Sequence, residues 1–292
     1  MAAHIVVALV ALVVIGGATR VMEAGLACPD WPLCYGSFLP AGKMNVQVFL
    51  EWFHRLDAFL VGIALVVQFC LGVLYRSELP KWLLWSYGLM IFLVFFQGLL
   101  GGLTVLHLLP SFVVASHLIV AFALLSIMSG VTQSLLTSND LSPPLWWQFF
   151  CGLSLVAVIT QSLIGSLMAT SWGAQRCISQ GESCNYFDLH RFISMPVSLL
   201  IIAFVITSFF VGGDVGKTWP FLMGVLLLLT LQIVLGILTV NSYLNEPLIR
   251  IAHQLIAALL VAFLAALCSR KPLTMPHSNT NFTDSLLEAC HG

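Results

Sequence analysis

Hydrophobic residues occur in long runs along this chain, and short polar segments separate the runs. Crossing the hydrocarbon core of a bilayer takes roughly 20 apolar residues in helical form, which is close to the length of most of these runs. The pattern predicts eight transmembrane helices, over residues 3–18, 47–74, 82–106, 111–136, 145–170, 187–211, 219–242 and 246–269.

The two ends of this pattern carry further signals. The first run lacks the basic segment that opens a signal peptide, so we predict a retained helix. The last run follows Asn245-Glu246-Pro247. Because asparagine favours the N-cap and proline the first helical turn, we predict Asn245 as the N-cap of the last helix and Pro247 in its first turn.

Composition agrees with a membrane protein and excludes several other classes. The 292 residues are 60% hydrophobic and 8% charged, whereas a soluble domain carries about 25% charged residues. The 11 Lys and Arg nearly balance the 12 Asp and Glu, which leaves no net charge to attract a polyanion. A soluble enzyme, a disordered chain and a nucleic-acid-binding protein are therefore excluded, and we predict an all-α polytopic protein in a lipid bilayer.

The sequence repeats itself at a nearly constant offset. His54-Arg55 recurs as His190-Arg191 and His117 as His253, each 136 residues later. The pattern Gln97…Gly101…Thr104-Val105 recurs 135 residues later as Gln232…Gly236…Thr239-Val240. Gly16 and Cys28 recur 149 residues later as Gly165 and Cys177. A duplication predicts two pseudo-symmetric four-helix bundles: an N-terminal unit 1–138, a C-terminal unit 139–271, and a disordered cytoplasmic tail 272–292.

Cysteines and charges predict the orientation in the membrane. An even number of helices puts both termini on one side, and the Lys and Arg distribution weakly favours the cytoplasm for that side. Two cysteine pairs, Cys28 with Cys34 and Cys177 with Cys184, share loops on the opposite side. Paired cysteines are typical of an oxidising compartment, so we predict that these loops face the periplasm or a lumen. The remaining cysteines have no close sequence partner: Cys70, Cys151, Cys268 and Cys290.

The matched histidines are the strongest candidates for chemistry. His54 and His117, like His190 and His253, lie roughly 10 Å below the starts of helices that enter from the same face. An imidazole in lipid is costly and needs a partner. We predict two bis-histidine haem sites, one inside each unit. Hydrogen bonding across helices is the simpler alternative, and a zinc site would need further ligands.

Arginines near the histidines support this prediction. Arg55 and Arg191 directly follow a histidine, and Arg250 precedes His253 by three residues. At the outer interface these cations can neutralise haem propionates. The alternative is that each arginine extends to the headgroup boundary without a ligand.

The two units differ chemically around the first histidine of each pair. Glu51 precedes His54 by three residues and Asp57 follows it by three, whereas the matched positions in the second unit hold Phe187 and Ile193. A buried carboxylate can accept protons or stabilise a developing cation, and an apolar bis-histidine site suits electron transfer. Glu51 could instead pair with Arg20 or Arg55, and Asp57 could be structural.

Three stretches together resemble the haem A synthase family: Gly-Gly-Ala-Thr-Arg at 16–20, Gly-Leu-Ala-Cys-Pro-Asp-Trp-Pro-Leu-Cys-Tyr-Gly at 25–36, and Glu-Trp-Phe-His-Arg at 51–55. Leu189-His190-Arg191 and Ala252-His253-Gln254 agree, and the resemblance covers about residues 12–268. Met22-Glu23-Ala24 departs from the Thr-Gly-Ser common in the family and is closer to its cyanobacterial branch.

The resemblance implies an activity and a set of site residues. The C8 methyl of haem O would be oxidised by successive hydroxylations to the formyl of haem A, for assembly of a haem-copper terminal oxidase. The axial ligands would be His54 and His117 for the substrate and His190 and His253 for a permanent haem B. Glu51 matches the essential acid of the family. Independently of the resemblance, the positions of the arginines predict propionate contacts at Arg20, Arg55, Arg191 and Arg250.

The resemblance also implies disulfides, partners and a location. The bridges would be Cys28–Cys34 and Cys177–Cys184, and the membrane a bacterial plasma membrane or a thylakoid. Partners would be haem O synthase, terminal-oxidase assembly factors and an unidentified electron acceptor or donor, with the oligomeric state open.

Two rival functions remain. A di-haem bis-histidine electron-transfer cytochrome would place haems near both faces, whereas all four histidines here lie towards one. A transporter would require broken helices and polar groups at mid-membrane.

Overall fold

The computed structural model describes residues 1–136, 144–170, 185–210 and 218–269, of which 168–170 are described by their backbone alone. Within these ranges the secondary structure consists of helices and no β-sheet. The long helices are α1 Ala2–Val21, α2 Val46–Leu74, α3 Lys81–Leu106, α4 Ser111–Leu136, α5 Leu145–Thr170, α6 Asn185–Phe209, α7 Trp219–Asn241 and α8 Pro247–Cys268. A single 3₁₀ turn, Ala41–Lys43, interrupts the loop before α2.

All eight long helices of the described chain are apolar and long enough to cross a membrane. This confirms the predicted all-α polytopic fold, and each helix overlaps the apolar run that predicted it. Large apolar side chains on the outside remain exposed, among them Phe112, Phe192 and Phe210. Such a surface is stable in lipid but not in water, so the chain is a multi-pass membrane protein.

Helix starts follow local signals, with one difference from the prediction. At α2, Asn45 is the N-cap and its side chain accepts a hydrogen bond from the Val48 N–H at 2.9 Å. At α8, the predicted N-cap Asn245 is wrong, because Glu246 holds that position and Pro247 begins the helix. The preceding turn extends one residue further than expected: Leu244 has a φ of 62°, and the Asn245 N–H still bonds to Ser242.

The helices pack as two closed sets of four. In the first set α1 contacts α2 and α4, and α3 contacts the same two helices. In the second set α5 contacts α6 and α8, and α7 contacts those two as well. The sets meet through α4 with α8, α1 with α8, and α4 with α5. The four helices α1, α4, α5 and α8 therefore form the interface between the sets.

The core is densest along this interface. In α8, 56% of the membrane-spanning window is buried inside the protein, against 22–28% in each other spanning helix. Fully buried side chains from both sets join one apolar cluster, including Phe122, Leu125, Met128, Ile201, Phe204 and Leu264. In water, burying such a side chain stabilises the folded state by about 1.5–3 kcal/mol. In a membrane, van der Waals packing between helices takes the place of part of this hydrophobic contribution. The two sets of helices are thus joined by a densely packed apolar interface.

Candidate functional site

A large cavity of about 1990 Å³ opens among the helices, and all eight helices contribute to its lining. Binding sites for single small molecules typically measure 300–1,000 Å³, so this cavity has room for more than one. All four predicted histidines line it: His54, His117, His190 and His253. The fold thus brings the two matched pairs to one continuous space.

The first histidine of each pair lies against a glycine of the preceding helix. A Cβ atom on Gly16 would lie 2.9 Å from the Cε1 atom of His54, and a Cβ atom on Gly165 would lie 2.9 Å from Cε1 of His190. Real Cβ atoms essentially never approach so closely. These two glycines therefore provide the space that each imidazole occupies.

The second histidine of each pair has a similar but looser neighbour. A Cβ on Gly101 would lie 3.5 Å from Cε1 of His117, and a Cβ on Gly236 would lie 3.3 Å from Cε1 of His253. All four glycines belong to the positions that recur between the halves of the sequence. The repeat therefore includes the backbone space around each ring as well as the rings themselves.

Hydrogen bonding leaves most of the rings available for a ligand. The Nδ1 atoms of His54, His117 and His253 are buried and have no hydrogen-bond partner. Nδ1 of His190 lies 3.1 Å from the Gln161 carbonyl oxygen, the kind of contact that orients an iron-ligating imidazole. Unpartnered buried nitrogens are costly, and a pair of imidazoles is a donor set that haem iron accepts. The residues present thus fit a haem in each unit.

Three glutamines contact the histidines, and the sequence analysis did not identify them as site residues. The Gln97 amide donates to the His117 carbonyl at 2.9 Å, and the Gln161 amide donates to the His190 carbonyl at 2.6 Å. Nε2 of Gln232 lies 3.2 Å from Nε2 of His253. The recurrence of Gln97 as Gln232 was the available signal, whereas Gln161 has no such counterpart.

Glu51 lies in the cavity wall and is only 4% exposed. One carboxylate oxygen accepts a hydrogen bond from the Cys28 N–H at 2.8 Å, and the other pairs with Arg55. The pairing with Arg55 that the sequence left open as an alternative is therefore present. Phe187, the matched residue of the second unit, also lines the cavity. The first unit alone has a carboxylate at this matched position.

The loop between α1 and α2 covers part of the cavity and is tied to α2. Arg55 donates to the carbonyl oxygens of Asp30 and Leu33 at 2.7 and 2.6 Å. A disulfide joins Cys28 and Cys34 within the same loop. The second predicted bridge, Cys177–Cys184, lies outside the described residues.

The four predicted arginines all line the cavity but differ in their partners. Arg55 forms an ion pair with Glu51, the one ion pair among the described residues, and it also donates hydrogen bonds to loop carbonyls. The Arg191 guanidinium lies over the Phe187 ring, 5.4 Å from its centroid. Nε of Arg20 is buried without a hydrogen-bond partner, and Arg250 makes one long bond to the Leu244 carbonyl at 3.4 Å.

Asp57, the other carboxylate near His54, is not among the residues that line the cavity. Its Oδ2 atom is buried and unpartnered. Ile193, at the matched position in the second unit, is likewise absent from the lining. The structure therefore brings Glu51, and not Asp57, to the cavity shared by the histidines.

These features define a class of membrane protein in which two units of four helices surround a cavity that contains two histidine pairs. The chain belongs to the cytochrome oxidase assembly protein family (COX15-CtaA), which matches residues 1–265.

Haem A synthases from several bacteria are similar to this chain. That of Shewanella oneidensis is 30% identical over 177 residues, covering 55% of this chain and 52% of the relative. That of Bradyrhizobium diazoefficiens is 27% identical over 198 residues (56% and 55%), and that of Ehrlichia canis is 24% identical over 286 residues (87% and 72%). The chain spans about half the length of the first two relatives.

Proposed function

We propose that this protein is a haem A synthase, which oxidises the C8 methyl group of haem O to the formyl group of haem A. Family membership and the similarity to haem A synthases support this function. The observation that carries the proposal is the contrast between the two units. Both contain a histidine pair at the cavity, but only the first places a carboxylate, Glu51, where the second has Phe187.

This contrast supports the proposal that each unit binds a different haem. Haem O is the substrate of the first unit, with His54 and His117 as its axial ligands. Haem B is the permanent cofactor of the second unit, with His190 and His253 as its iron ligands. The glycine contacts and the unpartnered ring nitrogens support haem binding at both pairs. Bound haem B supplies one-electron transfer, for which an apolar bis-histidine site is suited.

Glu51 acts on the reacting methyl group and on water. Two hydroxylations by water followed by loss of one water convert –CH₃ and H₂O into –CHO, four protons and four electrons. The electrons pass to an acceptor. The Cys28 N–H and Arg55 fix the position of the carboxylate at the cavity, where a negative charge can stabilise positive charge that develops on the methyl carbon. The carboxylate can also take up a proton from the attacking water.

The same proposal includes orientation and partners. Both termini face the cytoplasm of a bacterial plasma membrane or the equivalent side of a thylakoid, and the Cys28–Cys34 loop faces the periplasm or lumen. Disulfide formation in that loop supports this orientation. Haem O synthase supplies the substrate, and assembly factors for a haem-copper oxidase receive the product.

A di-haem electron-transfer cytochrome is the second candidate. The equivalent packing of His54 on Gly16 and of His190 on Gly165 favours two similar haem sites. Such a protein would bind haem at both pairs without modifying it.

Incubation of the purified protein with haem O and an electron acceptor tests the two candidates. Chromatography of the extracted haems is expected to show haem A, with the alcohol as an intermediate. His117→Ala is expected to abolish haem A formation, because this substitution removes a substrate ligand. Recovery of unchanged haem O from a protein that holds haem at both pairs would instead establish the electron-transfer cytochrome.

A further inference from the structure

The contact between α1 and α8 sets the relative positions of two arginines from different units. Gln254 of α8 packs against Gly17 of α1 so closely that a Cβ atom on Gly17 would overlap its carboxamide. The Gln254 amide also donates to the Val13 carbonyl at 3.3 Å. The helices α1 and α8 cross the membrane in opposite directions. About one helical turn from this contact, towards the end of α1 and the start of α8, Arg20 of α1 therefore comes close to Arg250 of α8.

These two arginines have little countercharge. Both line the cavity, and their guanidinium groups repel each other. Glu23 is an acidic group that attracts Arg250, but neither arginine has a carboxylate within ion-pair distance among the described residues. Nε of Arg20 is buried without any hydrogen-bond partner. Two adjacent cations at a membrane-embedded cavity are costly unless an anion joins them.

The arginine pair does not follow from the architecture of the bundle. Contact of α4 with α5 is the counterpart of the contact between α8 and α1. At the offsets of the sequence repeat, Ala169 corresponds to Arg20 and Val114 corresponds to Arg250. If helix packing alone determined the residues at positions 20 and 250, small apolar residues such as these would be sufficient there. We therefore infer that the two positive charges serve a function specific to the contact between α1 and α8.

The pair lies between the two histidine sites. Arg20 is one turn outward from Gly16, which contacts His54, and Arg250 precedes His253 by three residues. We propose that Arg20 and Arg250 form one carboxylate-binding site, shared by both units, for the propionates of the haems bound at the two histidine pairs. This inference rests on the proposed function and extends it, because each arginine then supports haem binding in the other unit as well as in its own.

Arg55 and Arg191 are less suited to this role. The Arg55 guanidinium is already bound by Glu51 and two loop carbonyls, and Arg191 lies on the Phe187 ring. A carboxylate at Arg20 and Arg250 would receive charge-assisted hydrogen bonds from two planar donors, an arrangement that arginine supports better than lysine.

Binding of haem B and of its dimethyl ester, in which both propionates are esterified, tests the proposal. Purified parent protein, Arg20→Met and Arg250→Met are titrated with each compound and followed by absorption. Arg76→Met is the control, because Arg76 is exposed just after α2, at the opposite end of the bundle. A His54→Ala background removes a ligand of the first pair, so that only the second unit reports binding.

In that background, Arg20→Met is expected to weaken haem B binding at least about tenfold, because a charge-assisted hydrogen bond is lost. Binding of the dimethyl ester is expected to stay unchanged, which also shows that the variant is folded. Arg20→Lys is expected to recover part of the affinity for haem B. The control is expected to bind both compounds like the parent.

Several outcomes would overturn the shared site. Equal losses for haem B and its ester would assign the arginines a structural role. An unchanged haem B affinity in the His54→Ala background would mean that Arg20 does not serve the second unit. Stabilisation by phosphatidylglycerol that disappears in the arginine variants, with haem binding unchanged, would assign the pair to a lipid phosphate. A parent protein that binds neither compound at either pair would overturn the proposed function itself.

Discussion

Glu51 illustrates how one side chain that stabilises the fold is also placed for the proposed chemistry. Its carboxylate accepts the Cys28 N–H and pairs with Arg55, and so links α2 to the disulfide-bonded loop. The same residue lines the cavity beside His54. Any test of its chemical role must therefore separate the carboxylate from the ion pair that holds it.

Comparison of Glu51→Gln with Arg55→Met makes this separation. Glu51→Gln keeps the size of the side chain but removes its charge and basicity, so we expect haem A formation to fall at least about 100-fold. Arg55→Met keeps the carboxylate and is expected to cost roughly tenfold, through a looser loop. Haem content of both variants should match the parent. Product chromatography measures the rates.

Equal losses in these two variants would contradict a direct role for Glu51, since pairing alone would then explain its effect. The matched change in the second unit, Phe187→Glu, provides a further control. It is expected to create no second active site, because under the proposed assignment the haem of that unit is the cofactor and not the substrate.

The glycines behind the histidines provide a second prediction at this scale. In Gly165→Ala the new Cβ would lie 2.9 Å from the His190 ring, so the ring must move and haem at the second pair should be lost or weakened. Gly152→Ala is the control in the same helix, because no atom lies within 4 Å of its added Cβ.

The control variant is expected to retain haem and to gain up to about 1 kcal/mol of helix stability. Absorption spectra and thermal unfolding of the two variants measure these effects. A Gly165→Ala protein with the haem spectrum of the parent would show that the close contact does not constrain the ring.

At the residue scale the sequence predicted identities better than roles. The repeat identified the four histidines, and the presence of Phe187 at the position matched to Glu51 identified the chemical difference between the two units. It could not show that Arg55 is occupied by loop carbonyls, because that depends on where the loop folds back in three dimensions. The packing of Gln254 on Gly17 likewise arises from contact between helices at opposite ends of the chain.

Among the elements, the helices were the most predictable feature. Long apolar runs bounded by proline, glycine and charged residues leave few alternatives in a membrane, where the backbone must satisfy its own hydrogen bonds. The start of α8 was wrong by one residue because the turn at Leu244 adopts a left-handed conformation, with a φ of 62°. Local composition does not specify that extension of the turn.

At the scale of elements, we predict which cysteines form disulfide bonds. Mass spectrometry of non-reduced peptides is expected to show Cys28–Cys34 and Cys177–Cys184 linked, one bridge in the matched loop of each unit. Cys151 of α5 and Cys268 of α8 lie with their Sγ atoms 2.9 Å apart, but a reducing cytoplasm should keep both as thiols. A Cys28–Cys177 link would contradict one bridge per unit, and a Cys151–Cys268 link would contradict the proposed orientation.

On the scale of the whole molecule, two sets of four helices share one cavity through the contacts of α1, α4, α5 and α8. Sequence offsets predicted the two sets but not their common cavity, because the offsets carry no information on how one set meets the other. The proposed division of labour follows from this arrangement. A modified substrate and a permanent cofactor would occupy equivalent pockets that differ in one carboxylate.

The identity of the haem retained by two histidine variants tests this division most directly. Purified His54→Ala and His190→Ala proteins are incubated with haem O, and the haems that remain bound are extracted and identified. His54→Ala is expected to retain haem B and to form no haem A, whereas His190→Ala is expected to lose haem B. Loss of haem B from His54→Ala, with its retention in His190→Ala, would reverse the assignment of substrate and cofactor to the two units.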